Sequence, residues 1–214
     1  MTNHHNSEWL RIKVEEIAET IKMNKALEQI DERDITVPTN VNYCNYYKLR
    51  VAEIMLHLRN KILFNFGMFV ILGWQEKWRE EYANSPDRDQ NIFKEYRFSI
   101  FHYPSLEVAN EFLKTIQFDG AILINERGIV TDSGIFIGGL HPSYVANELK
   151  LPSSDDLSSR FGFKIKIRTR HLSAISASYQ LKDTTIYIIS KKTGDLRIFE
   201  EGKIVYSTIK GEAN

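Results

Sequence analysis

Asp119-Gly120-Ala121-Ile122-Leu123-Ile124-Asn125, then Glu126-Arg127-Gly128, then the run from Ile129 to Ile137, is the stretch that sets the fold class of this chain. An apolar run, a polar turn ending in glycine and a second apolar run read as two strands joined by a hairpin. The first strand is expected over 119–125 and the second over 129–137, with Gly138-Gly139 ending the unit. Upstream, Pro104-Ser105 opens a helix carrying Leu106, Val108, Ala109, Phe112, Leu113 and Ile116, with Ser105 as the expected N-cap. Phe66 to Gly73 is a nearly continuous apolar run, the pattern of a strand buried on both faces. Before it, a helix is expected from about Tyr46 to Arg59, offering Leu49, Ile54, Leu56 and Leu58 for burial. After it come a helix over 74–82, a turn over 84–87 and a short strand within 97–101.

Downstream, Leu140 to Arg160 reads as a long polar connection holding a short helix near 144–149. Phe163 to Ile167 alternates with Lys164 and Lys166, as an exposed strand does. A helix is expected from Thr169 to about Tyr179, then strands over 184–190, 195–199 and 203–207 joined by glycine-containing turns. The sum is an α/β fold: a mixed β-sheet core flanked by helices, with an N-terminal helical extension. Residues 1–44 form that extension and a linker, 45–208 the core domain, and 209–214 a tail.

The extension rests on Leu10, Val14, Ile17 and Ile21, which recur at helical spacing over residues 7–30. Glu15, Glu16 and Glu19 beside Lys22 make the polar face non-basic, so the stripe suits the chain's own body or a partner subunit rather than lipid. Across 214 residues the formal net charge is +0, and no global field draws the chain to nucleic acid or anionic lipid. Any anion site is therefore a local arrangement of donors. A single cysteine, Cys44, allows no internal disulfide and fits a reduced cytoplasmic compartment. The longest apolar run, Ile62 to Leu72, is too short to span a bilayer as a helix, which takes roughly 20 residues.

Three places could carry chemistry. Asp119 stands where a helix hands over to a strand, and Gly120 and Ala121 after it let a ribose or phosphate approach the backbone. A carboxylate there can hold a divalent ion, though an ordinary helix-to-strand turn also uses Asp-Gly. Thr169-Arg170-His171 opens a helix whose free N–H groups face whatever lies ahead. Arg170 adds a planar donor fork for phosphate, and His171 can donate to phosphate or ligate a metal. A capped helix with a solvated arginine and a half-buried histidine would use the same residues. Ser190, at the Lys191-Lys192-Thr193-Gly194 turn, offers a hydroxyl at a strand end, or simply a polar hairpin tip. There is no Walker loop, GxGxxG or Ser/His/Asp order to support kinase, Rossmann or hydrolase readings.

Taken together and in order, these segments resemble the diadenylate cyclase (DAC, or DisA_N) domain family, in its cytosolic archaeal and bacterial type. Asp119-Gly120-Ala121 is similar to the family's Asp-Gly-Ala motif, and Thr169-Arg170-His171 to its Arg-His motif. Phe66 to Gly73 and the strand, serine turn and hairpin from Ile188 to Val205 follow in register, so the likeness spans about 45–208. The resemblance implies that two ATP molecules become the second messenger cyclic di-AMP and two pyrophosphates, across a face-to-face dimer with Mn or Mg. By that resemblance Asp119, Arg170 and His171 are catalytic, and Asp119 and His171 meet the metal. Gly120, Ala121, Thr169, Ser190 and Lys191 then contact nucleotide, Lys191 standing where many members carry an acidic residue. No nucleic acid or membrane partner is expected. Two further readings stay open: a nucleotide-binding sensor of the same fold without turnover, and a cyclic dinucleotide synthase using another base.

Overall fold

The computed structural model describes residues 43–62, 66–84, 88–148, 150, 161, 163–164 and 169–212. The expected helix over 7–30, the linker before Tyr43 and most of the connection between Glu148 and Thr169 lie outside them.

The centre of the molecule is β1 (Met68–Trp74), all but one of its residues buried. It lies between β4 (Ala121–Asn125), with which it runs parallel, and β6 (Thr185–Ile189), with which it runs antiparallel. β5 (Ile129–Ile137) pairs with β4 in the expected hairpin, and the short β2 (Ala83–Asn84) and β3 (Phe98–Ser99) both pair with β5. On the other flank, β7 (Leu196–Glu200) and β8 (Lys203–Ser207) extend the sheet, giving the order β2-β5-β4-β1-β6-β7-β8. This is a mixed sheet, as the sequence predicts.

Side chains alternate across the sheet, and each face has its own helical cover. Val70, Leu72, Ile122, Ile124, Tyr187 and Ile189 pack with α1 (Tyr43–Lys61) and α3 (Ser105–Leu113). Phe69, Ile71, Leu123, Ile186 and Ile188 pack with α5 (Thr169–Gln180), beside which lies α4 (Pro142–Glu148). Each fully buried aliphatic side chain contributes about 1.5–3 kcal/mol, so the central strands are the main source of stability. Among the described residues, no helix is long and apolar enough to cross a membrane.

Several local expectations change. α1 starts at Tyr43, inside the stretch expected as linker, and its buried stripe adds Val51 and Met55 to Ile54 and Leu58. The expected helix over 74–82 is shorter. Trp74 ends β1 with its ring buried, and a 3₁₀ turn (Glu76–Trp78) leads into α2 (Arg79–Tyr82). Ser105 is not the N-cap of α3. Pro104 occupies that position without a side-chain cap, and the buried Ser105 hydroxyl accepts a hydrogen bond from Arg50 instead. Of the strand expected over 163–167 only Phe163 and Lys164 are described: neither is in a strand, and Phe163 is buried against Phe199, beside the charged groups described below.

Candidate functional site

Strand register brings the three sequence-selected places to one rim of the sheet. Val70 of β1 faces Ile122 of β4, so the start of β4 and the Gly120 before it lie toward the Met68 end of β1. Met68 faces Ile189 of β6, and Ile189 faces Leu196 of β7. Asp119 precedes β4 and Ser190 follows β6, strands that lie two spacings or roughly 10 Å apart. The third place arrives by length matching. α5 has 12 residues, roughly 18 Å of helix, and β6 has 5, roughly 17 Å of strand. A tight turn joins them, so the first turn of α5 returns to the rim where β6 ends. The contact between His171 and Arg197, the neighbour of Leu196, fixes that placement: His171 Nε2 lies 3.1 Å from Arg197 Nη1.

The individual residues differ in what surrounds them. Asp119 is exposed, ahead of the strand. Gly120 has φ +97, and a Cβ there would sit 2.6 Å from the carbonyl carbon of Gly134 in β5. The close approach this glycine permits is thus the chain's own irregular β4–β5 pairing. Gly120→Ala is expected to destabilise the protein by about 2–4 kcal/mol through backbone strain and clash. A chemical denaturation curve checks it, and a loss under about 1 kcal/mol would mean that β5 yields at Gly134. Ala121 is buried in the core. Ser190 is buried at the start of a tight turn, with its N–H donating to the Asp195 carbonyl at 3.0 Å and its carbonyl accepting from Gly194 at 2.8 Å. That leaves the hydroxyl, not the N–H, as the donor Ser190 can offer. Lys191 is exposed on the turn. Thr169 and Arg170 begin α5, and their side chains are outside the described set.

His171 belongs to a buried charged network that the sequence did not reveal. Arg197 is fully buried in β7 and donates to Glu212 twice, Nε to Oε2 at 2.6 Å and Nη2 to Oε1 at 3.0 Å. Glu212 also accepts from the Ser207 hydroxyl at 2.8 Å and the Lys164 N–H at 3.1 Å. Phe163 meets His171 edge-on, ring centroids 5.8 Å apart, and lies 5.5 Å from the Arg197 guanidinium carbon. Burial alone would raise the Glu212 carboxyl, but its bonds to Arg197, Ser207 and Lys164 outweigh burial and hold it below the usual carboxylate range. An arginine between Leu196 and Ile198 was the available signal. Its partner, in a stretch that reads as a tail, had none.

Other features support the rim or lie away from it. Arg59, near the end of α1, donates to the Gly194 carbonyl at 2.9 Å and so steadies the turn that carries Ser190. Asp132 is buried on β5, bound by Arg79 at 2.7 Å and Asn91 at 2.8 Å, which fastens the irregular segments around β2 to the sheet. A groove of about 480 Å³ follows α1 past Leu49, Ala52 and Leu56, and another of about 430 Å³ touches Trp74 and Asn125 at the opposite rim. Neither is lined by a sequence-selected residue. Among the described residues, no three His, Cys, Asp or Glu side chains gather to cage a metal ion.

No protein-family model matches the chain, and no curated protein matches it. Among solved structures, it is similar to a hypothetical membrane spanning protein from Bacillus cereus, at 16% identity over 94% of this chain and 91% of that one, with a TM-score of 0.46. It is also similar to DacA from Staphylococcus aureus, solved as a double mutant, at 20% identity over 78% of this chain and 89% of that one, with a TM-score of 0.40. Both likenesses are distant.

Proposed function

We propose that the chain is a diadenylate cyclase, converting two ATP molecules into cyclic di-AMP and two pyrophosphates. The observation that carries this reading is the convergence of Asp119, the first turn of α5 and the Ser190 turn on one rim of the sheet. In each half-reaction a ribose 3′-oxygen attacks the α-phosphorus of the facing nucleotide. The bond from that phosphorus to the bridging oxygen of pyrophosphate breaks, and the hydroxyl proton passes to the Asp119 carboxylate or to water. Charge on the phosphates is met by the N–H groups opening α5, by Arg170 and Lys191, and by the Ser190 hydroxyl. One rim holds one nucleotide, so ring closure needs a second copy of the chain facing the first.

Divalent Mn or Mg fits the donor set, because a hard cation is commonly held between one or two carboxylates and substrate phosphates. Asp119 is the protein ligand in this reading, and the bound ion would supply charge neutralisation and acidify the attacking hydroxyl. With Nε2 accepting from Arg197, His171 is better suited to ordering the first turn of α5 and its phosphate donors than to ligating the ion.

Incubation of the purified protein with ATP and Mn or Mg, with products read by mass spectrometry, tests the proposal. Cyclic di-AMP is expected, formed at a rate that rises more steeply than linearly with protein concentration. ATP bound without conversion would replace the enzyme with a nucleotide-binding module. A different cyclic dinucleotide would keep the chemistry and change the base.

A further inference from the structure

We infer that Arg197 and Glu212 form a positioning pair that fixes the ring and tautomer of His171, making the C-terminal residues part of the working site. The kinetic arm of this inference rests on the cyclase reading; the structural arm does not.

Stability alone gives no reason for a guanidinium at this point. Both charges are fully buried, and replacing a buried ion pair with neutral groups of similar volume is often neutral or stabilising. What the pair supplies is a donor held in one place. Glu212 takes two of the guanidinium nitrogens, Nε and Nη2, along one edge of the plane, so the third, Nη1, points where those bonds dictate, and that is at His171 Nε2. Arginine only donates. Nε2 must therefore accept, and the neutral ring carries its proton on Nδ1. Glu212 is itself fixed by Ser207 and the Lys164 N–H, while Phe163 flanks both His171 and Arg197. The chain of contacts runs without a gap from the C-terminal stretch to the opening turn of α5. Partners that orient metal-bound histidines are worth about 10- to 100-fold in activity, and a loss of the same order is expected where the oriented histidine orders phosphate donors.

Nitrogen NMR of the full-length protein, labelled at histidine, reads the tautomer directly, with His171→Gln identifying the signal. The wild-type protein is expected to show Nδ1–H and an unprotonated Nε2. The double variant Arg197→Met/Glu212→Gln removes both charges and leaves an amide oxygen to accept from Ser207 and Lys164. It is expected to melt within a few degrees of wild type, to lose the single tautomer, and to lower kcat by about 10- to 100-fold with KM for ATP little changed. A wild-type signal with the proton on Nε2 overturns the inference without any variant, so a variant that fails to fold does not shelter it. A double variant that keeps the Nδ1–H form, or that loses it without loss of kcat, also overturns it. Should the wild type make no cyclic dinucleotide, the cyclase reading fails while the tautomer still decides the pair.

Discussion

Asp119→Asn is expected to reduce cyclic di-AMP formation by roughly 10²- to 10⁴-fold, the range for losing a group that handles a proton in the transition state. The substitution keeps the shape of the side chain and removes its charge, so in the proposed reaction the amide could neither take the hydroxyl proton nor hold a divalent ion as a carboxylate can. Asp119 is exposed and stands ahead of β4, outside both hydrophobic clusters. The amide is isosteric with the exposed carboxylate, so the melting curve should stay close to that of the wild type. Initial rates at saturating ATP, with Mn and with Mg, give the comparison. A variant retaining a tenth or more of wild-type turnover would remove Asp119 from the centre of the reaction. Binding sharpens the test further: the metal-dependent part of ATP affinity should disappear, while the part owed to α5 and the Ser190 turn remains.

Much of the fold is legible because its signals are local. The 119–137 hairpin declares itself through two apolar runs around Asn125-Glu126-Arg127-Gly128, and Asn125 indeed closes the turn by accepting from the Arg127 and Ile129 N–H groups. The last three strands and α5 appear within a residue or two of their expected bounds for the same reason. What escapes is set by partners far along the chain. Ser105 looks like a cap until Arg50, from a different helix, claims its hydroxyl. β2 has only two residues, too few for any periodicity, and exists because Ala83 and Asn84 find Ile137 and Phe136.

The candidate site divides along the same line. Asp119, Thr169-Arg170-His171 and Ser190 stand out as polar residues at the ends of apolar segments, which is a property of sequence. That they share one rim depends on β1 lying between a parallel β4 and an antiparallel β6, and no local signal fixes that order. Gly120 shows how one residue can be picked for one reason and retained for another: the backbone it admits is that of Gly134. The Arg197–Glu212 pair is the extreme case, since many carboxylates could have answered a buried arginine and the one that does lies in the final stretch of the chain.

Glu212→Ala alone should be among the most destabilising substitutions in the molecule, at about 3–5 kcal/mol, because it leaves Arg197 buried without its counter-charge. The Ser207 hydroxyl and the Lys164 N–H lose their acceptor at the same time. For a chain of this size each kcal/mol shifts the midpoint by about 2–4 °C, so thermal unfolding should fall by roughly 6–20 °C. The contrast with Arg197→Met/Glu212→Gln carries the argument: removing both charges should spare most of that loss, and the difference is the penalty of a stranded cation. The effect also has a pH signature. The Glu212 carboxyl is held below its ordinary range in the folded protein, so its contribution is complete above about pH 4.3, the unfolded value. It is lost as pH falls through the lower folded value. Asp132 is shifted in the same direction, and both proteins will weaken in acid on its account. The gap between wild type and Glu212→Ala should nonetheless narrow below about pH 4, since protonation already takes the charge that the substitution removes. A gap that stays constant with pH would mean that packing of the side chain, rather than its charge, holds the C-terminal stretch in place.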